Sequence, residues 1–269
     1  MLDLFQYEFF VNAFIACILA SVACGIIGTY VVVKRIVFIS GGISHTAYGG
    51  IGLGYFLGIN PLLGALSFSL GAAGLISLLR KYHFQNEDTL IGIMWSFGMA
   101  LGIIFIGATP GYVPDLMSYL FGNILTVSYE ELGLLLVLNM FILTITITYF
   151  EKFKAVTFDE EYSKSLGIKV EKFYTLLLVM IAVTVVMLIK LVGIILIVAL
   201  LTIPPVIARK YSRSLTQMMY GSIILGLVFT LFGLFTSYYL NLPTGSTIII
   251  ISILGYAGSF LINTKRALY

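Results

Sequence analysis

His45 is one of two histidines in the chain, and it stands inside the apolar, glycine-rich stretch FISGGISHTAYGGIGLGYFLG, from Phe38 to Gly58. Imidazole is a good ligand for zinc and other first-row divalent ions. A closed metal site needs several ligands, and this stretch supplies one. A single imidazole suits weak, incomplete coordination, from which an ion can leave again. Ionisable groups within membrane helices are rare and face a cavity or a partner. The alternative use of His45 is packing, with its ring bonded to a carbonyl of a neighbouring helix. On a helix, Gly42, Thr46, Gly50, Gly54 and Gly58 fall at spacing four, a small-residue ridge that lets another helix approach closely. His45 lies on the neighbouring strip, near Gly41, Gly49 and Gly52, with Tyr48 one turn on. Those glycines are expected to clear space beside the imidazole for a ligand or water.

The second informative stretch is the polar loop EKFKAVTFDEEYSKSLGIKVEK, which starts at Glu151. Thr157 and Glu160 fit the N-cap and N3 positions of a capping box. Asp159, Glu160 and Glu161 would occupy the first turn, where the helix dipole favours anions. Gly167 fits the C′ position. Phe158, Tyr162 and Leu166 are four apart and form one apolar stripe. The spacing predicts a stiff helix of roughly nine residues. A helix lying flat on the bilayer usually carries Lys and Arg on its polar face. This one leads with three acids, so a protein partner is the better home for the stripe.

Other candidates carry less. His83, in RKYHFQNED, reads as a solvated loop residue, and Asp88 fits an N-cap. Glu130 and Glu131 end an apolar run, where they either attract cations or simply sit at the interface. Pro204 and Pro205 are expected to kink or end a helix. Cys17 and Cys24, seven apart on one helix, cannot form a disulfide and read as small core residues. ISGGIS looks like an ATPase signature loop but lies inside an apolar run, and the chain has no GxxxxGK[ST] phosphate loop.

These residues must be positioned by membrane-spanning elements. The 269 residues are 60% hydrophobic and 10% charged, with a mean hydropathy of +1.07, far from a soluble domain. Apolar runs of about 20 residues, the length that crosses a bilayer core, recur throughout. They do not alternate as barrel strands would, so the fold class is all-α, a polytopic transmembrane helical bundle. Nine apolar segments are expected, at about 9–33, 37–58, 61–79, 89–108, 132–150, 172–189, 191–208, 215–239 and 246–262. With the N-terminus outside, 14 of the 15 basic residues fall on the inner side and only Lys190 falls outside, as the positive-inside rule asks. The turn at Lys190–Gly193 is very short. If 172–208 were one broken span, the count would be eight and both termini would share a side. No basic n-region of a secretory signal precedes the first span, so both ends are expected to belong to the mature protein. The long connector GATPGYVPDLMSYLFGNILTVSYEE is expected to lie at the interface or dip back in.

Six stretches together resemble the permease subunit of the zinc and manganese ABC importers. They are ISGGISHTAYGGIGLG, EDTLIGIMWSFGMALGIIF, YLFGNILTVSYEEL, FDEEYSKSLGI, VGIILIVALLTIPPVIAR and YLNLPTGSTIIIISILG, in the family's order. The same order resembles the cobalamin and siderophore permeases more distantly. The resemblance implies one permease domain over 1–269, in a bacterial or archaeal plasma membrane. It implies a homodimer of this chain, a separate cytoplasmic ABC ATPase dimer that uses ATP, and an extracytoplasmic metal-binding protein. The segment 157–167 would be the coupling helix that docks on the ATPase, through Thr157, Phe158, Asp159, Glu160, Tyr162, Leu166 and Gly167. The second span would carry the metal pathway, with His45 and its neighbours Ser44, Gly41, Gly49, Gly52 and Tyr48. The implied cargo is zinc or manganese. No permanently bound cofactor, nucleic-acid partner or catalysis by this chain is implied.

One departure stands out. Many members of the family carry an aspartate one turn before the histidine, where this chain has Gly41. A pathway with imidazole and no carboxylate mildly favours zinc over manganese, which prefers oxygen ligands. The rivals are a permease for a larger chelate and an ion-coupled secondary carrier. Such carriers usually show inverted repeats and intramembrane acids, whereas every Asp and Glu here falls at or beyond a span end. An intramembrane enzyme would need a second intramembrane ligand.

Overall fold

The computed structural model describes residues 2–81, 87–111 and 117–261, and these are helical with short connections. The helices are α1 (Glu8–Val33), α2 (Val37–Leu57), α3 (Pro61–Lys81), α4 (Glu87–Ala108), α5 (Met117–Phe121), α6 (Tyr129–Thr148), α7 (Phe150–Phe158), α8 (Glu160–Ser165), α9 (Val170–Tyr211), α10 (Leu215–Leu240) and α11 (Thr244–Gly258). His83 lies outside the described residues. Glu87 opens α4, so Asp88 sits inside the helix rather than capping it.

Among the described residues, six helices are long and apolar enough to cross a membrane: α1, α3, α4, α6, α9 and α10. α2 has the length, at 21 residues, but its glycines dilute its hydropathy. The 42 residues of α9 would run about 63 Å, roughly twice a bilayer core. The expected turn at 190–193 shrinks to one residue, Gly193, the only non-helical backbone in α9, at φ 79. Each side of Gly193 has the length of a span. Pro204 and Pro205 neither end nor break the helix, which continues to Tyr211.

The chain packs as two compact units, each discontinuous in sequence. The first comprises Met1–Arg35, Met117–Thr144 and Leu188–Tyr269, and the second Ile36–Leu116 and Ile145–Met187.

In the first unit α1 packs on α10 along a seam of small and hydroxylated residues. The Ser21 and Thr230 hydroxyls are 3.1 Å apart, and those of Thr29 and Ser222 are 3.3 Å apart. Cys17 and Cys24 are buried in α1 with free thiols. Pro205 has no N–H for the carbonyl of Leu201. Gly28 of α1 closes on that carbonyl so tightly that a built Cβ would lie 2.5 Å from its oxygen. From Met117 on, the connector before α6 belongs to this unit. Tyr119 and Ile124 are buried, and the Asn12 side-chain amide donates to Val127 O at 3.1 Å. Gly122 and Gly193, both with positive φ, press backbone to backbone, and Gly245 abuts Phe121 O beside them. Three of the six family-like stretches therefore meet at one glycine junction.

Ser128 and Glu131 form a reciprocal capping box at the start of α6: the Ser128 N–H donates to Glu131 Oε2 at 2.9 Å, and the Glu131 N–H to Ser128 Oγ at 3.3 Å. Glu131 also pairs with Lys190 at 2.5 Å. Glu131 is thus spent on structure, and the one basic residue that breaks the charge pattern is neutralised. Glu130 is exposed.

In the second unit α2 is the central element, packed between α3 and α4. Exposed apolar side chains in this unit include Ile93, Phe97 and Ile104 on α4 and Ile147 near the end of α6.

Candidate transport pathway and docking helix

α2 can be buried because its glycines let two helices reach its backbone. Gly50 meets Gly64 of α3 backbone to backbone, and a Cβ on Gly54 would lie 2.6 Å from Pro61 Cα. On the other flank a Cβ on Gly42 would lie 2.6 Å from Ile91 of α4. The ridge at spacing four therefore serves α4 at one end and α3 at the other. Gly58, at φ 66, closes the helix, with Ile59 N–H donating to Gly54 O.

Gly49 and Gly52 do not leave open room beside His45, as expected above. A Cβ on Gly49 would lie 2.8 Å from Gly98 O, and one on Gly52 would lie 2.7 Å from Gly102 Cα. Both glycines are filled by the backbone of α4. Gly98 and Gly102 return the approach: a Cβ on Gly98 would lie 2.6 Å from Thr46 Cα, and one on Gly102 would lie 2.7 Å from the Tyr48 ring. The physical reason is that membrane helices gain little from apolar burial and much from close contact. Small residues here are consumed by packing.

Ser44 is fully buried and donates to Ser40 O within its own helix at 2.8 Å. Tyr48 is buried against α4. His45 is half-buried, and its ring stacks on that of Trp95 with centroids 3.8 Å apart and planes at 13°. Its Nδ1 is buried with no hydrogen-bond partner among the described residues. A packing histidine bonded at Nδ1 to a neighbouring carbonyl is therefore not what is found. Gly41 is buried under the same indole. No group of three or more His, Cys, Asp or Glu is placed to hold a metal ion among the described residues, so the arrangement does not form a closed site.

The second candidate region lies in α7 and α8. The cap is two residues later than expected. Thr157 belongs to α7, and Asp159 is the N-cap of α8, its Oδ1 accepting from Tyr162 N–H at 2.9 Å. Asp159 has an extended backbone, and it divides one expected helix of nine residues into a six-residue α8 behind α7. The Asp159 carboxylate caps the N3 N–H of Tyr162, two residues beyond the one that Thr157 was expected to cap. Glu160 opens α8 and pairs with Arg80 of α3 at 2.5 Å. The Arg80 guanidinium also lies 3.7 Å from the Tyr174 ring centre. Gly167 stands at C′ with φ 76; its N–H reaches Lys164 O and that of Ile168 reaches Ser163 O, both at 3.0 Å. Phe158, Tyr162 and Leu166 are 64%, 58% and 57% exposed. Of the three, only Tyr162 lies in α8; Phe158 ends α7 and Leu166 is the C-cap of α8. The extended backbone of Asp159 thus breaks the expected single stripe, although all three side chains are exposed beside a short helix capped at both ends and braced by an arginine.

Trp95 and Arg80 were not singled out from the sequence. Trp95 is the only tryptophan, and it precedes Gly98 and Gly102, a spacing of four that marks a close helix contact.

The fold and these two regions define a multi-pass helical membrane protein of the transporter class. The chain belongs to the ABC 3 transport family, which it matches over residues 6–263. It is 47% identical to an uncharacterised membrane protein of Synechocystis, covering 95% of this chain and 91% of the relative. It is 34% identical to the manganese import system permease protein ScaB of Streptococcus parasanguinis, covering 97% and 93%. Among solved structures it resembles a chain of PsaBC from Streptococcus pneumoniae in complex with Fab, with a TM-score of 0.88 at 32% identity over 97% of this chain and 94% of that one.

Proposed function

We propose that this chain is the membrane permease of an ATP-driven importer of a divalent transition metal, zinc or manganese. The observation that carries the reading is family membership across nearly the whole chain, with an unclosed imidazole site on its most closely packed helix. The permease works as a homodimer, and its N-terminus faces outward. The exposed side chains of Phe158, Tyr162 and Leu166 dock on a separate cytoplasmic ATPase dimer. An extracytoplasmic protein delivers the ion, and His45 contacts it in transit. Alternating access follows when ATP draws the ATPase halves together and the docked helices move with them. α8 suits that task because it is fastened at both ends and tied to α3 through Arg80.

Ser44, Gly41, Gly49, Gly52 and Tyr48 shape the helix that presents His45. The names of relatives speak for manganese, and the lack of a carboxylate at Gly41 speaks for zinc.

The test is whole-cell metal content in a strain lacking the gene, complemented with wild type or His45→Ala. Loss of one metal, restored by wild type and not by the variant, names the cargo and puts His45 on the pathway. Full restoration by the variant makes His45 a packing residue.

A further inference from the structure

Among the described residues, Trp95 is the one large side chain that meets both Gly41 and His45. Its ring stacks on the imidazole at 3.8 Å. A Cβ built on Gly41 would lie 3.4 Å from Trp95 Cζ3 and 4.0 Å from Cη2. One indole therefore spans a full helical turn of α2, from position 41 to position 45. A methyl at position 41 would touch the indole.

The helix that carries the indole is held there by backbone. Thr46 Oγ1 lies 3.3 Å from Met94 O, the residue before Trp95. Gly98, one turn later, rests on the backbone of His45 and Thr46. α4 is thus fixed against α2 on both sides of Trp95, while Trp95 itself is 37% exposed.

We infer that Trp95 is a positioning and specificity-determining residue of the pathway: it sets the plane of the His45 ring and occupies the place of a second, oxygen-bearing ligand. The inference rests on His45 being a pathway residue. Its consequence is chemical. An ion meeting this site finds one nitrogen ligand and an aromatic face, with no carboxylate, and the indole keeps water from completing an oxygen shell on that side. Borderline ions that accept nitrogen, such as zinc, tolerate this better than manganese, which seeks oxygen. Trp95 therefore tilts uptake toward zinc.

Because Trp95 is the only tryptophan in the chain, its emission reports on this place alone. The purified full-length chain in lipid nanodiscs is titrated with Co2+, a quenching ion, and with Zn2+. Co2+ quenches wild type saturably, Zn2+ competes, and His45→Ala loses the saturable quench. If His45→Ala quenches like wild type, ions do not bind at His45 and the pathway reading itself fails. The second arm measures the zinc-to-manganese uptake ratio in cells. Trp95→Ala lowers that ratio by roughly 10- to 100-fold, the usual size of an effect on a metal through its supporting residues, while Trp95→Phe keeps it near wild type. An unchanged ratio in Trp95→Ala, in a protein whose Co2+ binding depends on His45 in the Trp-bearing chain, overturns the role of Trp95 and leaves the pathway reading standing. An equal fall in both metals also overturns it, since that is what a purely structural contact would give.

Discussion

Two regions of the same unit are built on opposite rules. α2 is enclosed: its glycines admit the backbones of α3 and α4, and its one ionisable group lies under an indole. α8 is offered: six residues long, capped at both ends, with Tyr162 in the open and Phe158 and Leu166 exposed just before and just after it. In the first region side chains were removed so that helices could close. In the second they were added where none of the described residues buries them. A site that must hold an ion in transit needs a fixed surround, whereas a site that must transmit a push needs a stiff handle. The difference predicts that mutations in the two regions fail differently, one through folding and the other through coupling.

The largest effect is expected at Gly50→Leu. The leucine would have to displace the backbone of Gly64 and Ala65, and overpacking of a tight contact costs about 3 kcal/mol. Folded protein recovered from membranes should fall severely, seen as a lost monodisperse peak in detergent. Normal yield would mean that α2 and α3 can separate freely, and the contrast would break.

Next comes the triple change Phe158→Ser, Tyr162→Ser and Leu166→Ser. Uptake should fall to background while thermal stability changes by less than about 0.5 kcal/mol, because exposed positions carry little folding energy. ATP-driven uptake at the wild-type rate would remove the handle from the comparison.

Gly167→Ala should cost about 1–2 kcal/mol locally, since an L residue pays to adopt φ 76. Hydrogen exchange in 160–168 should accelerate with α2 unaffected. Asp159→Ala should cost about 1 kcal/mol through the lost cap, visible in the same amides. Equal protection in both variants would show that α8 is held by Arg80 alone.

Part of this architecture was legible in residue types. Gly167 announced a helix end because few other residues take its backbone angle. The ridge from Gly42 to Gly58 announced close approach because spacing four repeats along one face of a helix. The start of α8 was misread by two residues because Thr157 and Asp159 both cap well, and only the extended backbone of Asp159 separates them. Gly49 and Gly52 were misread because a missing side chain looks the same in sequence whether a cavity or another helix takes its place.

The sequence by itself determined that this is a multi-pass helical membrane protein, since length, hydropathy and helical period are properties of the chain taken a segment at a time. It did not determine whether Phe158, Tyr162 and Leu166 share one helix face, because the extended backbone of Asp159 breaks the helix between the first two. Only the tertiary structure decided what stands opposite each of these residues. It put Trp95 on His45, joined Arg80 to Glu160, neutralised Lys190 with Glu131, and brought Gly122, Gly193 and Gly245 to one junction. Each of those pairs is far apart along the chain, and contact between distant segments is set by the packing of whole helices, which no local pattern encodes.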